Sequence, residues 1–158
     1  MSSSDTQPGV RAGIPARLKR RWNAAQHRRQ LLRAVQHLSG PKEGQAAPDE
    51  ATLVCLVRDG VYYIDAFLAH YRSLGIRHFV FIDNGSQDGT PERLASEPGV
   101  AVLQALLPWG AFENGLRNYA AKRYCRERWC LFADMDEIID LPGASGMAEL
   151  LARLERED

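Results

Sequence analysis

The chain is short of cysteine, of aromatic residues and of long apolar runs, and each shortage removes a class of explanation. Its three cysteines, Cys55, Cys125 and Cys130, are odd in number and have no paired spacing, so no disulfide framework is expected. Cys55 and Cys130 sit in apolar runs and read as buried, reduced thiols, which points to the cytoplasm. No apolar stretch approaches the roughly 20 residues that a membrane-spanning helix needs. The start, Ser2-Ser3-Ser4-Asp5, is polar and lacks the apolar segment of a secretory signal. Aromatic residues make up 8% of the chain, and Trp22 is the one that falls in its basic first part. One ring cannot interleave with many cations for base stacking, so nucleic acid is not an expected partner. His27, His37, His70 and His78 show no metal-ligand spacing, and neither a Walker loop nor a Gly-x-Ser-x-Gly elbow occurs.

What is present suits one ordinary domain. The 158 residues are 45% hydrophobic and 25% charged, near the globular average. The formal net charge of zero hides an asymmetry: Arg and Lys recur from Arg11 to Lys42 against only Asp5 and Glu43. Such a split predicts a basic arm over residues 1–41 and a separate domain over 51–158, joined by a linker at 42–50. Residues 1–12 are polar and read as disordered. Leu18, Trp22, Ala25, Leu32 and Val35 have partly helical spacing and predict a helix over 14–38, stopped by Ser39-Gly40-Pro41. The arm reads as a solvated helix. Its alternative role is peripheral contact with an anionic membrane at the inner face, with Leu18, Trp22, Leu31, Leu32 and Val35 toward lipid.

Beyond the linker, strand and helix patterns alternate. Thr52–Val57 is a continuous apolar run, as expected of a strand buried on both faces. A helical stripe through Ile64, Phe67, Leu68, Tyr71 and Leu74 follows, and then a second strand at His78–Ile82. Thr90-Pro91-Glu92 reads as a helix start. Val100–Leu103 is a third strand, 112–126 a helix, Trp129–Ala133 a fourth strand and 147–158 a final helix. The fold class expected is α/β: a Rossmann-like, mainly parallel sheet with helices on both faces. Ligands bind beyond the carboxyl ends of such strands. Three polar clusters stand there: Arg58-Asp59, Asp83-Asn84 and Asp134-Met135-Asp136.

Acids placed together at the end of an apolar strand repel one another, and a divalent cation removes that cost. Mg²⁺ takes one or two protein carboxylates and completes its shell with water and phosphate oxygens. Asp134 and Asp136 are therefore candidate metal ligands. In Asp83-Asn84-Gly85-Ser86-Gln87-Asp88-Gly89-Thr90, the glycines permit positive φ and a close approach of backbone to ligand. Asp83 could accept hydrogen bonds from a base or ribose there. The plainer reading is a strand-to-helix turn built from Asn-Gly and Asp-Gly chemistry.

Four features in order carry a family resemblance: Val57-Arg58-Asp59-Gly60 with Tyr63-Ile64; Leu74-Gly75-Ile76 leading into Phe81 to Thr90; Arg117-Asn118; and Asp134-Met135-Asp136-Glu137. Over about residues 51–141 the chain resembles the family 2 glycosyltransferases and relatives with the GT-A nucleotide-diphospho-sugar fold. The resemblance implies a donor site of Arg58, Asp59, Asp83, Asn84, Arg117 and Asp134, with Asp83 on the base and Arg58 bordering the nucleoside. It implies Mg²⁺ or Mn²⁺ on Asp134 and Asp136. The donor would be a nucleotide-diphospho-sugar, a uridine diphosphate sugar first of all, and the acceptor a glycan, lipid or protein. Relatives often carry Asn-Glu where Asp59-Gly60 stands here. Their acceptor site and catalytic base lie after the Asp-x-Asp, and about twenty residues follow it here. The expectation is thus an N-terminal donor-binding half whose base lies beyond residue 158. The rival readings are a non-catalytic nucleotide-sugar-binding module and a phosphatase of the haloacid dehalogenase type, which places its Asp-x-Asp after the first strand.

Overall fold

The computed structural model describes residues 15–157. The expected disorder of residues 1–12, the helix start at Ile14 and the last residue of the final helix lie outside the described residues. The molecule is α/β, a mixed five-stranded sheet with helices on both faces. In chain order the elements are α1 (Ala16–Ala34), β1 (Val35–Ser39), β2 (Ala51–Val57), α2 (Ile64–Ser73) and β3 (His78–Asp83). There follow α3 (Thr90–Ala95), β4 (Val100–Ala105), α4 (Trp109–Tyr124), β5 (Trp129–Phe132) and α5 (Met147–Glu157).

The sheet runs β1-β4-β3-β2-β5. The pairings β2 with β3, β3 with β4 and β2 with β5 are parallel, and β1 lies antiparallel on β4. All seven residues of β2 are buried, as its unbroken apolar run requires of a central strand. Alternate residues of the strands feed two cores. Leu53, Cys55, Val57, Phe79, Phe81 and Val102 face one way, against α2, α3 and α5. Val54, Leu56, Val80, Ile82 and Leu103 face the other way, against α4 and Leu31 of α1.

The helix expected over 14–38 is corrected at its C-terminal end. It stops at Ala34, and Val35–Ser39 extend as β1 along the edge of β4. The apolar spacing at Leu32, Val35 and Leu38 is compatible with a helix. The exposed edge of β4 offers those backbone groups a ladder, and tertiary pairing overrides the local pattern. The arm also packs on the body: Leu31 is buried and His27 stacks on Phe112 with ring centroids 3.9 Å apart. The linker is seated as well. A Cβ on Gly44 would come 1.8 Å from the Tyr124 carbonyl oxygen, and the Arg123 Nε donates to the Lys42 carbonyl at 2.7 Å.

All three cysteines are free thiols. Burial, reinforced by nearby carboxylates, pushes the Cys55 thiol far up, so it stays protonated and inert. The Cys125 and Cys130 sulfurs lie 2.9 Å apart, between the end of α4 and β5.

On the outer face Glu97 ties α2 to α3, receiving Arg72 at 2.7 Å and Arg93 from its other side. The hydrogen bond from Arg72, then that from Arg93, holds the Glu97 carboxyl below the ordinary glutamate range. A depressed carboxylate stabilises the fold above its unfolded pKa, about 4.3, and the gain is lost as pH falls through the lower folded value. Urea midpoints measured from about pH 6 to about pH 3 should fall for the parent protein. In Glu97→Gln part of that slope should be missing; an unchanged slope would show that this cluster contributes nothing.

Candidate functional site

The strand order reverses at β2. From β2 the chain proceeds outward through β3 to β4 with α2 and α3 on one face. It then crosses by α4 on the other face to lay β5 on the opposite side of β2. At such a reversal the loops leaving the two strands part and open a crevice at their carboxyl ends. A cleft of about 360 Å³ lies there, lined by Leu56 to Gly60 from the end of β2 and by Asp134, Met135 and Asp136 beyond β5, with Tyr63 and Trp109 beside them.

The Asp-Met-Asp turn is held by apolar and polar contacts together. Met135 packs against the core cluster of β2 and α2, and its neighbours Asp134 and Asp136 line the cleft. Downstream, the Tyr71 hydroxyl donates to the Glu137 carbonyl at 3.1 Å, and a His70 ring nitrogen meets the Ile139 carbonyl at 2.9 Å. The Glu137 carboxylate accepts the Asp134 N–H at 2.9 Å, so it braces the turn from within. Asp134 Oδ1 also accepts Arg117 Nη2 at 2.8 Å, while Arg117 Nη1 meets Glu113 at 2.7 Å, one helical turn back. Asp136 is exposed and makes no hydrogen bond or ion pair among the described residues.

The opposite wall is a double loop stitched through backbone N–H groups. Those of Asp59, Gly60 and Val61 donate in succession to Ser86 Oγ at 2.8 Å, Thr90 Oγ1 at 2.9 Å and Asp88 Oδ2 at 3.0 Å. Asp59 Oδ1 returns the bond by accepting the Gln87 N–H at 2.8 Å. Asp59 adopts φ 51°, a left-handed conformation that Asp tolerates better than most residues. Burial works to raise the Asp88 pKa, but the Thr90 hydroxyl and the N–H groups of Val61 and Thr90 together outweigh it, leaving the carboxyl below its ordinary value. Arg58 stands free of this network, mostly exposed, with Asp59 Oδ2 3.8 Å away.

Gly60 is the tightest point of that wall. A Cβ there would lie 2.7 Å from the Val57 methyl and 3.4 Å from Met135 Cγ. Val57 is buried and branched at Cβ, so its methyl has nowhere to turn. Gly60→Ala should therefore cost about 1–3 kcal/mol of stability by overpacking. Chemical denaturation checks this, and a neutral substitution would show that the loop yields easily.

Of the residues singled out in the sequence, the cleft gathers Arg58, Asp59, Asp134 and Asp136, and Arg117 reaches it through Asp134. Asp83 and Asn84 do not line this cleft and are engaged within their own loop. The Asp83 side chain is 0% exposed. Its carboxylate accepts the N–H groups of Gly85 and Ser86, the Ser86 hydroxyl and the Gln104 amide. Asn84 donates its amide to the carbonyls of Ala105 and Leu107, pinning the loop to the end of β4. Both residues build the loop. Tyr63 and Trp109 were missed as lining residues, and 48% and 36% of their surface stays exposed. Trp109 begins α4 directly after Pro108, a position where Pro-Trp-Gly reads as plain loop.

No family model matches the chain, and no curated protein matches its sequence.

Proposed function

We propose that this chain is the donor-binding domain of a metal-dependent glycosyltransferase with a GT-A type, mainly parallel sheet. It would take a sugar from a nucleotide diphosphate, uridine diphosphate first of all, for transfer to a hydroxyl of a glycan, lipid or protein. The observation that carries this reading is the crevice between β2 and β5, with two carboxylates on one wall and Arg58 on the other. The sequence resemblance around the same residues supports it independently.

The donor set suits a hard divalent cation. Mg²⁺ needs only one or two protein carboxylates when substrate phosphates complete the shell. Asp136 is free to bind, and Asp134 keeps Oδ2 beyond its bond to Arg117. Among the described residues no group of three or more His, Cys, Asp or Glu forms a cage. Asp134 and Asp136 would therefore hold Mg²⁺ or Mn²⁺ together with the diphosphate. A cation bound there would offset charge growing on the departing diphosphate. Arg117, fixed between Glu113 and Asp134, orients the Asp134 carboxylate and keeps positive charge beside it. Arg58 and Asp59 border the nucleoside, and the Tyr63 and Trp109 rings offer faces on which a base or sugar can pack.

Calorimetry with uridine diphosphate tests the reading. Binding should appear with Mn²⁺, vanish with EDTA and weaken strongly for uridine monophosphate. Equal binding with and without the metal would overturn it. Donor binding that is never followed by transfer or hydrolysis would assign the chain a binding role without turnover.

A further inference from the structure

A second, larger cleft of about 440 Å³ shares no residue with the first. It lies between α1 and α4. Its floor is Ala24, Leu31 and Gly115, and its cations are Arg28, Lys122, Arg123 and Arg126. No acid lines it. Every charged residue of α1 is basic, from Arg17 to Arg33.

The outward side of α1 is also unusual. Leu18, Trp22, Ala25 and Leu32 recur at i, i+4, i+7 and i+14, which sets them on one stripe. The inward side is fixed by His27 on Phe112 and by buried Leu31. Leu31 follows Trp22 by about two and a half turns and so lies opposite it. The stripe therefore faces away from the body: Trp22 is 62% exposed and Leu18 54%. Arg21 and Arg33 flank it, and Arg29 falls within it, between the directions of Leu18 and Trp22. Leu32 belongs both to the stripe and to the cleft, so the basic groove opens beside the apolar ridge. This corrects the sequence reading of the lipid-facing set, since Leu31 is turned into the core and Val35 belongs to β1.

We infer that α1, with the groove it forms against α4, docks the protein on an anionic phospholipid bilayer. Charge complementarity selects that occupant. The Trp and two Leu can enter the acyl boundary while Arg29 between them and the arginines beside them reach up to the phosphates on their long stems. The groove cations would receive the headgroup of a lipid beside the ridge. A nucleic acid would use the cations but leave the Leu–Trp ridge in water, and a second copy of α1 would bring like charge against like charge. The inference is independent of the chemistry proposed for the other cleft.

The test is co-sedimentation of the full chain with phosphatidylcholine vesicles, with and without about 30 mol % phosphatidylserine. Binding to the anionic vesicles should be at least roughly tenfold stronger and should fall steeply with salt. Leu18→Ser with Trp22→Ser should weaken it by roughly tenfold, and Arg28→Glu with Lys122→Glu by at least as much. All four side chains are exposed, so melting curves should match the parent, and uridine diphosphate binding should be unchanged. Equal binding to both vesicle types would overturn the inference. So would binding of an oligonucleotide duplex, or concentration-dependent self-association, in protein that leaves anionic vesicles untouched.

Discussion

Asp136→Ala should bind uridine diphosphate and Mn²⁺ at least about 100-fold more weakly than the parent while melting at the same temperature. The two halves of that result come from different observations. Asp136 is exposed and makes no polar contact among the described residues, so its removal leaves no partner unsatisfied. Substitutions of that kind fall within about 0.5 kcal/mol of neutral. If the residue nevertheless controls metal and diphosphate, its effect must come through a ligand. Asp134→Ala is the less informative variant, because it also strands Arg117 and Glu113 in a half-broken network. Asp134→Asn keeps an acceptor for Arg117 and reduces the charge available to a cation. A graded loss, Asp134→Asn smaller than Asp136→Ala, would mean that Arg117 already neutralises part of Asp134. Full binding by Asp136→Ala would remove the metal from this cleft.

Why the cleft was legible in advance, and parts of it were not, follows from what each residue answers to. β2 and β3 announce themselves because a central strand must be apolar on both faces, and the runs Leu53–Val57 and Phe79–Ile82 have no other economical reading. Once strands and helices alternate, the sites at strand ends follow from topology, which located Arg58, Asp59, Asp134 and Asp136. Strand β1 was hidden because Val35–Ser39 has no strand pattern of its own. Its burial alternates only after β4 supplies a partner. Whether an acid at a strand end faces ligand or loop is not encoded in its spacing either. Asp83 is the last residue of β3 and Asp136 lies in the turn just beyond β5, but Asp83 is followed by Gly85 and Ser86, whose N–H groups curl back onto it. The Asp-Asn-Gly-Ser string carries the turn chemistry that produces this capture. The string is open to both uses, ligand contact or turn, and its hydrogen bonds here close the loop.

The largest stability effect should therefore fall on Asp83. Asp83→Ala leaves the N–H groups of Gly85 and Ser86, the Ser86 hydroxyl and the Gln104 amide without their acceptor in a site from which water is excluded. Each stranded donor costs about 1–3 kcal/mol, though the loop can relax toward solvent and recover part of it. A net loss of about 3 kcal/mol is expected, which lowers the melting temperature by roughly 10 °C in a domain of this size. The consequence reaches the cleft through Ser86. Its hydroxyl is shared between Asp83 and the Asp59 N–H, so a loosened Ser86 frees the Arg58-Asp59 wall. Ligand affinity should then fall by severalfold with the melting temperature, and Asp83→Asn, which keeps one acceptor oxygen, should lie between the two in both measurements. A nucleobase-contacting Asp83 would behave differently: the alanine variant would lose affinity and keep its melting temperature. The melting curve alone thus separates a carboxylate that builds the wall from one that touches what the wall encloses.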